Sequence, residues 1–280
     1  MRTLFFGTSE FAVPSLRVVA ADTTCAGVVT QPDRPAGRGH RLRPSPVKAA
    51  ALELGLHVHE PLKLRAFAGE IAQERFDFFV LASYGRVLPP EVLVLPARGS
   101  LNVHPSLLPR YRGATPIQSA LLHGDVETGV SIMLMDAGLD TGDVVASRRV
   151  AIESGESYGE LHDRLALAGA QLLERVLEEA QRGELQALPQ QGDVSLTRPL
   201  AREDLIVDLA WPAERIVRAV RAYGPQPAAR AEIEGESVKL LRAHVDERGE
   251  LVIDELVAPN RGRMSGETYL RSKRRTIGEA

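Results

Sequence analysis

Sulfur is nearly absent from this 280-residue sequence: Cys25 is its one cysteine, so no disulfide can close within the chain. A reduced, cytoplasmic setting is the expectation. Cys25 follows Thr23-Thr24 and opens an apolar run, the context of a small buried side chain rather than of a nucleophile. Positive charge is not in excess either. A formal net charge of −3 excludes a uniformly basic nucleic-acid binder but leaves room for a local basic patch. No window approaches the roughly 18 apolar residues of a membrane span, so no membrane partner is expected. The N-terminal run Leu4-Phe-Phe6 stops at Gly7, too short for a secretion signal. Internal repeats are missing. So is the dinucleotide fingerprint G-x-G-x-x-G: Gly7-Thr-Ser-Glu-Phe11 stands where it would lie, without the second and third glycines, and no nicotinamide cofactor is expected. Asp136, Asp140 and Asp143 crowd one loop without the alternate-residue spacing of a calcium site. No His or Cys cluster accompanies them, and no metal is expected.

What is present reads as an α/β chain. A short strand at Thr3–Phe6, a turn at Gly7-Thr-Ser9, a helix over 10–20 and a strand over 25–30 make a β-α-β opening, which argues for a parallel sheet with crossover helices. Further strands fit 76–82, 100–104, 130–135 and 144–152, and helices fit 47–55 and 156–182. The last is amphipathic, with Leu161, Leu165, Leu172, Leu173, Val176 and Leu177 near helical spacing. Residues 183–200 are polar and broken by Gly and Pro, which reads as a linker. A helix at about 212–223 and β-like runs at 229–234, 237–245 and 250–257 follow. The division expected is therefore a first domain over 1–182, the linker, and a smaller β-rich domain over 201–280.

The chemistry concentrates in residues 100–116. Asn102 and His104 are two apart in an extended segment that Pro105 helps to end, so both side chains share one face. An amide donor then stands beside a group that exchanges protons near neutral pH, and Asp140 is the carboxylate best placed to complete the set. Asp140-Thr-Gly142 also matches the aspartic-protease triplet. It occurs once here, and that chemistry needs two carboxylates, so this reading requires a homodimer. Ser106-Leu-Leu-Pro109 followed by Arg110-Tyr-Arg112 is an apolar turn beside arginines, with Pro109 a candidate for a cis peptide. The long loop 31–48 carries Arg34, Arg38, Arg41, Arg43 and Lys48 against Asp33. Arginines spaced by Gly and Pro suit phosphate contacts. With the basic tail at 261–275, they suggest an RNA partner.

Three stretches carry a resemblance: Thr30-Gln-Pro-Asp-Arg-Pro-Ala-Gly-Arg-Gly39 with Pro44-Ser-Pro-Val-Lys48, then Leu101-Asn-Val-His-Pro-Ser-Leu-Leu-Pro-Arg110, then Met135-Asp-Ala-Gly-Leu-Asp-Thr-Gly-Asp143. From about residue 3 to 235 the chain resembles the methionyl-tRNA formyltransferases. The second and third stretches are shared by folate-dependent formyltransferases in general, and the first points to the tRNA-acting members. The resemblance implies a Rossmann-like formyltransferase domain with a mostly parallel sheet, then a small β-barrel of the oligonucleotide-binding type. It implies formyl transfer from 10-formyltetrahydrofolate, the co-substrate, to the α-amine of initiator methionyl-tRNA, by a monomer. Asn102, His104 and Asp140 would be catalytic. Ser106, Leu107, Leu108 and Pro109 would line the tetrahydrofolate site, with backbone near Leu81–Leu88 and the loop 137–141 around the pterin. Arg38, with Arg34, Arg41 and Arg43, would meet the tRNA. The reaction is acyl transfer through a tetrahedral intermediate; Asn102 and a protonated His104 would stabilise its oxyanion, and Asp140 would orient His104 and relay a proton. Tyr111 stands where tryptophan is usual, and Gly224-Pro-Gln-Pro227 where an Asn-Pro-Trp-Pro stretch is usual. About three strands are visible from 228 on, fewer than the five of a full barrel, so a shortened one is expected. The alternatives are a folate-dependent N-formyltransferase acting on an amino-sugar nucleotide or glycinamide ribonucleotide, and a formyl-folate hydrolase.

Overall fold

The computed structural model of the protein describes residues 1–36 and 41–278. Its strands are β1 (Arg2–Gly7), β2 (Thr24–Val29), β3 (Arg34–Ala36), β4 (Arg41–Arg43), β5 (Val58–His59), β6 (Phe78–Ala82), β7 (Ser100–His104), β8 (Arg112–Gly113), β9 (Glu127–Leu134), β10 (Val144–Ala151), β11 (Leu196–Thr197), β12 (Ala229–Ile233), β13 (Glu236–Val245), β14 (Leu251–Ala258) and β15 (Gly262–Ser265). Its helices are α1 (Val13–Asp22), α2 (Pro46–Glu53), α3 (Leu64–Ile71), α4 (Pro90–Leu93), α5 (Pro116–His123), α6 (Tyr158–Arg182), α7 (Ala213–Tyr223) and α8 (Gly266–Gly278). No helix among the described residues is long and apolar enough to cross a membrane.

Two compact units form, interleaved in sequence. The first takes Met1–Arg112, Gly129–Val150 and Asp163–Leu196; the second takes Gly113–Thr128, Ala151–His162 and the chain from Thr197 onward.

The first unit is built on a seven-stranded sheet in the order β10-β9-β7-β6-β1-β2-β5. Pairing is parallel from β5 through β2, β1 and β6 to β7, and β9 joins β7 antiparallel. The central strands read as continuous apolar runs because helices cover both faces of such a sheet. Phe78-Phe-Val-Leu-Ala82 is buried at every position. The Phe79 ring, fully buried, lies 5.1 Å from that of Phe6 and 5.2 Å from that of Phe76. Phe79→Ala is expected to cost about 3–5 kcal/mol in urea unfolding. Cys25 is half-buried on β2; burial pushes its thiol up, and it donates to the Gly27 carbonyl, 3.4 Å away. A raised thiol pKa is the opposite of what a nucleophile needs.

The chain runs outward from β1 to β2 and β5, then returns to β6 on the other side of β1. Such a reversal leaves a crevice beyond the carboxyl ends of the strands. The register places Gly7 beside Ala82 and Ala82 beside Val103, so the ends of β1, β6 and β7 line one edge. Gly7 must be glycine there: a Cβ would lie 2.7 Å from the Phe5 ring and 3.1 Å from the Ala82 carbonyl. Ser9 does not cap a helix with its side chain, which donates to the Ser83 hydroxyl at 2.7 Å.

The second unit holds an antiparallel meander, β12-β13-β14-β15. Alternation is clean in Ala229-Arg-Ala-Glu-Ile233, where every second residue is buried. Four strands replace the three visible in the sequence, in a sheet shorter than a five-stranded barrel. The fourth, Gly-Arg-Met-Ser, is too short and too polar to show a period. The basic tail continues as helix α8. Helix α7 buries Ile216, Ala219, Val220 and Tyr223, and packs on β13 and α5.

Candidate active site

Strand β7 ends on the site. Its two-residue period turns Asn102 and His104 to the same side, and both reach Asp140. Asn102 Nδ2 lies 3.5 Å from Asp140 Oδ1, and His104 Nδ1 lies 3.6 Å from Asp140 Oδ2. The three catalytic candidates are thus brought together from two segments 38 residues apart. His104 is buried, and Asn102 and Asp140 are half-buried.

The imidazole is held on its far side as well. His104 Nε2 is 3.0 Å from the Tyr111 carbonyl oxygen, which can only accept, so Nε2 carries a hydrogen. In the neutral ring Nδ1 then presents its lone pair toward Asp140. Burial pushes the His104 pKa below the ordinary imidazole value; the Asp140 charge and the Tyr111 carbonyl pull the other way without overcoming it. That direction favours the neutral form of the ring. The strand that aims the ring also desolvates it.

The turn after β7 is built by hydroxyls. Ser106 Oγ donates to the Arg110 carbonyl at 2.6 Å. Ser131 Oγ, on β9 opposite His104 in register, donates to the Ser106 carbonyl at 2.8 Å and accepts from the Leu108 amide at 3.2 Å. The Leu108–Pro109 peptide is cis. Ser106 and Pro109 are buried, whereas Leu107 and Leu108 are only half-buried, leaving an apolar edge next to the polar trio. Gly129 permits this packing, since a Cβ there would run into Leu107 Cδ2 and the Arg148 carbonyl. Ser131→Val is expected to destabilise the unit by about 1–3 kcal/mol, read by urea unfolding, because the Leu108 amide loses its partner. Tyr111 is buried at a left-handed φ of 57°, with the Arg110 guanidinium 5.0 Å from its ring centre.

The loop bearing Asp140 is stiff. Asp136 Oδ1 accepts from the Gly138 amide at 2.9 Å and from the Thr141 hydroxyl at 2.6 Å. Asp140 holds a φ of 51°. Gly142 fits only as glycine, because a Cβ would overlap the Leu134 carbonyl.

The basic loop is pinned at its base. Lys48 Nζ bonds Asp33 at 2.9 Å and Glu60 at 2.8 Å, and these partners, Glu60 first, raise its pKa. Its charge is satisfied within the protein rather than offered to phosphate. In the backbone register of the β3–β4 hairpin Arg34 pairs with Arg43 and Ala36 with Arg41; Arg43 is exposed, and Arg38 lies outside the described residues. No group of three or more His, Cys, Asp or Glu side chains that could hold a metal occurs among the described residues.

Sequence reasoning missed Ser131, Ser195 and Gln190. Ser131 had a signal, a hydroxyl inside the apolar run Val130–Leu134. The other two sit in the stretch read as a linker.

Comparison with known proteins bears on the same regions. The family model described as formyl transferase matches residues 1–177, and that described as formyl transferase, C-terminal domain, matches 199–252. A methionyl-tRNA formyltransferase of Chromobacterium violaceum is 48% identical over 252 residues, covering 88% of this chain and 81% of that protein. One of Pelotomaculum thermopropionicum is 43% identical over 250 residues, covering 88% and 80%. Among solved structures, WlaRD, a sugar 3N-formyl transferase, superposes with a TM-score of 0.69 at 19% identity, covering 88% of this chain and 87% of that one. Methionyl-tRNA formyltransferase from Clostridium thermocellum gives 0.62 at 14% identity, covering 92% and 99%. The fold is common to sugar-acting and tRNA-acting enzymes, so identity over the length of the chain decides between them. This chain belongs to the methionyl-tRNA formyltransferase family.

Proposed function

We propose that this chain transfers the formyl group of 10-formyltetrahydrofolate to the α-amine of initiator methionyl-tRNA, acting as a monomer in the cytoplasm. The observation that carries the chemistry is the convergence of Asn102, His104 and Asp140 at the carboxyl edge of the sheet. The tRNA as acceptor rests on the 43–48% identity to proteins bearing that name.

The co-substrate supplies an activated one-carbon unit. Its bicyclic pterin needs an apolar wall and hydrogen-bonding groups at one edge. The half-buried Leu107 and Leu108 fit the first requirement, and the backbone at 81–88 and 137–141 fits the second. In this reading Asn102 donates an amide N–H to the charge that develops on the formyl oxygen. His104 takes the proton that the attacking amine loses, at Nδ1, and returns it to the folate nitrogen that leaves. Asp140 stands beside the imidazolium during the interval in which it is charged. A base that rests neutral suits this order better than one that begins protonated. No side chain needs to become covalently attached.

Arg34, Arg38, Arg41 and Arg43 are proposed to meet the tRNA. Arg38→Ala is expected to raise the KM for tRNA and leave the folate response unchanged. A changed folate KM would instead put that loop at the folate site.

The deciding experiment is a formylation assay with charged initiator tRNA and labelled 10-formyltetrahydrofolate. Label on methionyl-tRNA is the expected result. Label on an amino-sugar nucleotide or glycinamide ribonucleotide, or free formate without acceptor, would replace this reading with one of its rivals.

A further inference from the structure

We infer that Gln190 is a positioning residue for formyl transfer, holding the loop that carries Asp140; the inference rests on the role proposed above for that carboxylate. The Gln190 amide uses both of its hydrogens on that loop. Nε2 donates to the Asp140 carbonyl at 2.8 Å and to the Gly142 carbonyl at 2.8 Å. Its oxygen faces the other way and accepts a fork from Arg112, with Nε at 3.0 Å and Nη2 at 2.8 Å. A charged donor on the oxygen polarises the amide and strengthens both N–H donations. The side chain therefore clamps the two residues flanking Thr141 to the chain that follows Tyr111.

The backbone that presents Gln190 is itself docked. Leu188 and Val144 exchange hydrogen bonds at 2.8 and 2.9 Å, a single bridge at the start of β10. Five residues beyond Gln190, Ser195 Oγ accepts from the Tyr111 amide at 2.7 Å, and the Ser195 carbonyl accepts from the Arg112 amide at 2.9 Å. The Tyr111 carbonyl is the one that holds His104 Nε2. The 188–195 segment thus braces the imidazole from both sides: through Gln190 at Asp140, and through Ser195 at Tyr111. Asp136 fixes the loop from within, through bonds to Gly138 and Thr141. Gln190 adds a restraint from outside, on the Asp140 and Gly142 carbonyls. The 51° φ of Asp140 is a conformation that a non-glycine residue keeps only when its surroundings enforce it.

Gln190→Met keeps the length and removes these four bonds. Gln190→Glu keeps an acceptor for Arg112 and loses both donors. Each is expected to lower kcat by about 10- to 100-fold, the scale on which a displacement of about 1 Å acts, with both KM values within about twofold. Asp140 raises the His104 pKa, so loosening it moves the His104 limb of the kcat–pH profile to lower pH in both variants. Joined to Asp140→Asn, Gln190→Met should add nothing, because two residues acting through one group are not additive. Near-wild-type kcat in Gln190→Met while Asp140→Asn is impaired overturns the inference alone. So do multiplying losses in the double variant, or a pH limb that stays in place. Undiminished turnover in Asp140→Asn overturns it together with the role of Asp140.

Discussion

His104→Gln is expected to fold and to lose formyl transfer by about 10²–10⁴-fold in single-turnover assays, the usual contribution of a positioned proton-transfer group. Glutamine is the informative replacement because its amide can still donate to the Tyr111 carbonyl, which His104 Nε2 now satisfies at 3.0 Å. It lacks a basic nitrogen facing Asp140. His104→Ala should lose as much activity and, in addition, about 1–3 kcal/mol of stability, since it takes this donor away from a buried carbonyl. Turnover within tenfold of wild type in the glutamine variant would remove His104 from the chemistry. The same side chain predicts a pH dependence of folding. Burial lowers the folded-state pKa of His104, so the unfolded chain binds a proton that the native site resists. The stabilisation is full above the unfolded value of about 6.5 and is lost as pH falls through it toward the folded value. Urea midpoints between neutral and mildly acidic pH should therefore fall less steeply in His104→Gln than in wild type.

The parts of this design that were legible in the sequence are those whose physics is local. Periodicity of two placed Asn102 and His104 on one face, and both side chains lie within 3.6 Å of Asp140. The apolar stretch 76–82 announced a strand, which forms at Phe78–Ala82 and is buried at every position. What could not be read is held by distant partners. Val58–His59 is a strand only because β2 offers it an edge. Gln190 and Ser195 look like solvent-facing linker residues until the fold brings Asp140, Arg112 and Tyr111 to them. Lys48 read as one more cation for phosphate, and Glu60, 12 residues on, takes that charge up. The direction of the His104 pKa shift belongs to the same class. Spacing places an imidazole, but the pKa depends on how completely the strands around it exclude water.

Asn102→Ala should reduce kcat by about 10²–10³-fold, the range typical for loss of one donor to a developing oxyanion. The loss should fall on kcat more than on either KM, because the charge that the amide meets is larger in the transition state than in the bound substrates. Stability should change little, because Asn102 is half-buried and its contact with Asp140 is a long one, 3.5 Å. Asn102→Asp is the sharper variant. It keeps the shape, replaces the donor by an acceptor, and sets a second carboxylate beside Asp140. Two carboxylates that close hold one proton between them over a raised pH range. Above that range the variant should be slower than Asn102→Ala, since a negative group then faces the forming oxyanion. At acid pH the introduced carboxyl group, once protonated, can donate again, and part of the rate should return. A kcat–pH profile that leaves Asn102→Asp parallel to Asn102→Ala throughout would mean that the amide is not aimed at the reacting oxygen, and the Asp140-facing geometry of Asn102 would then be structural.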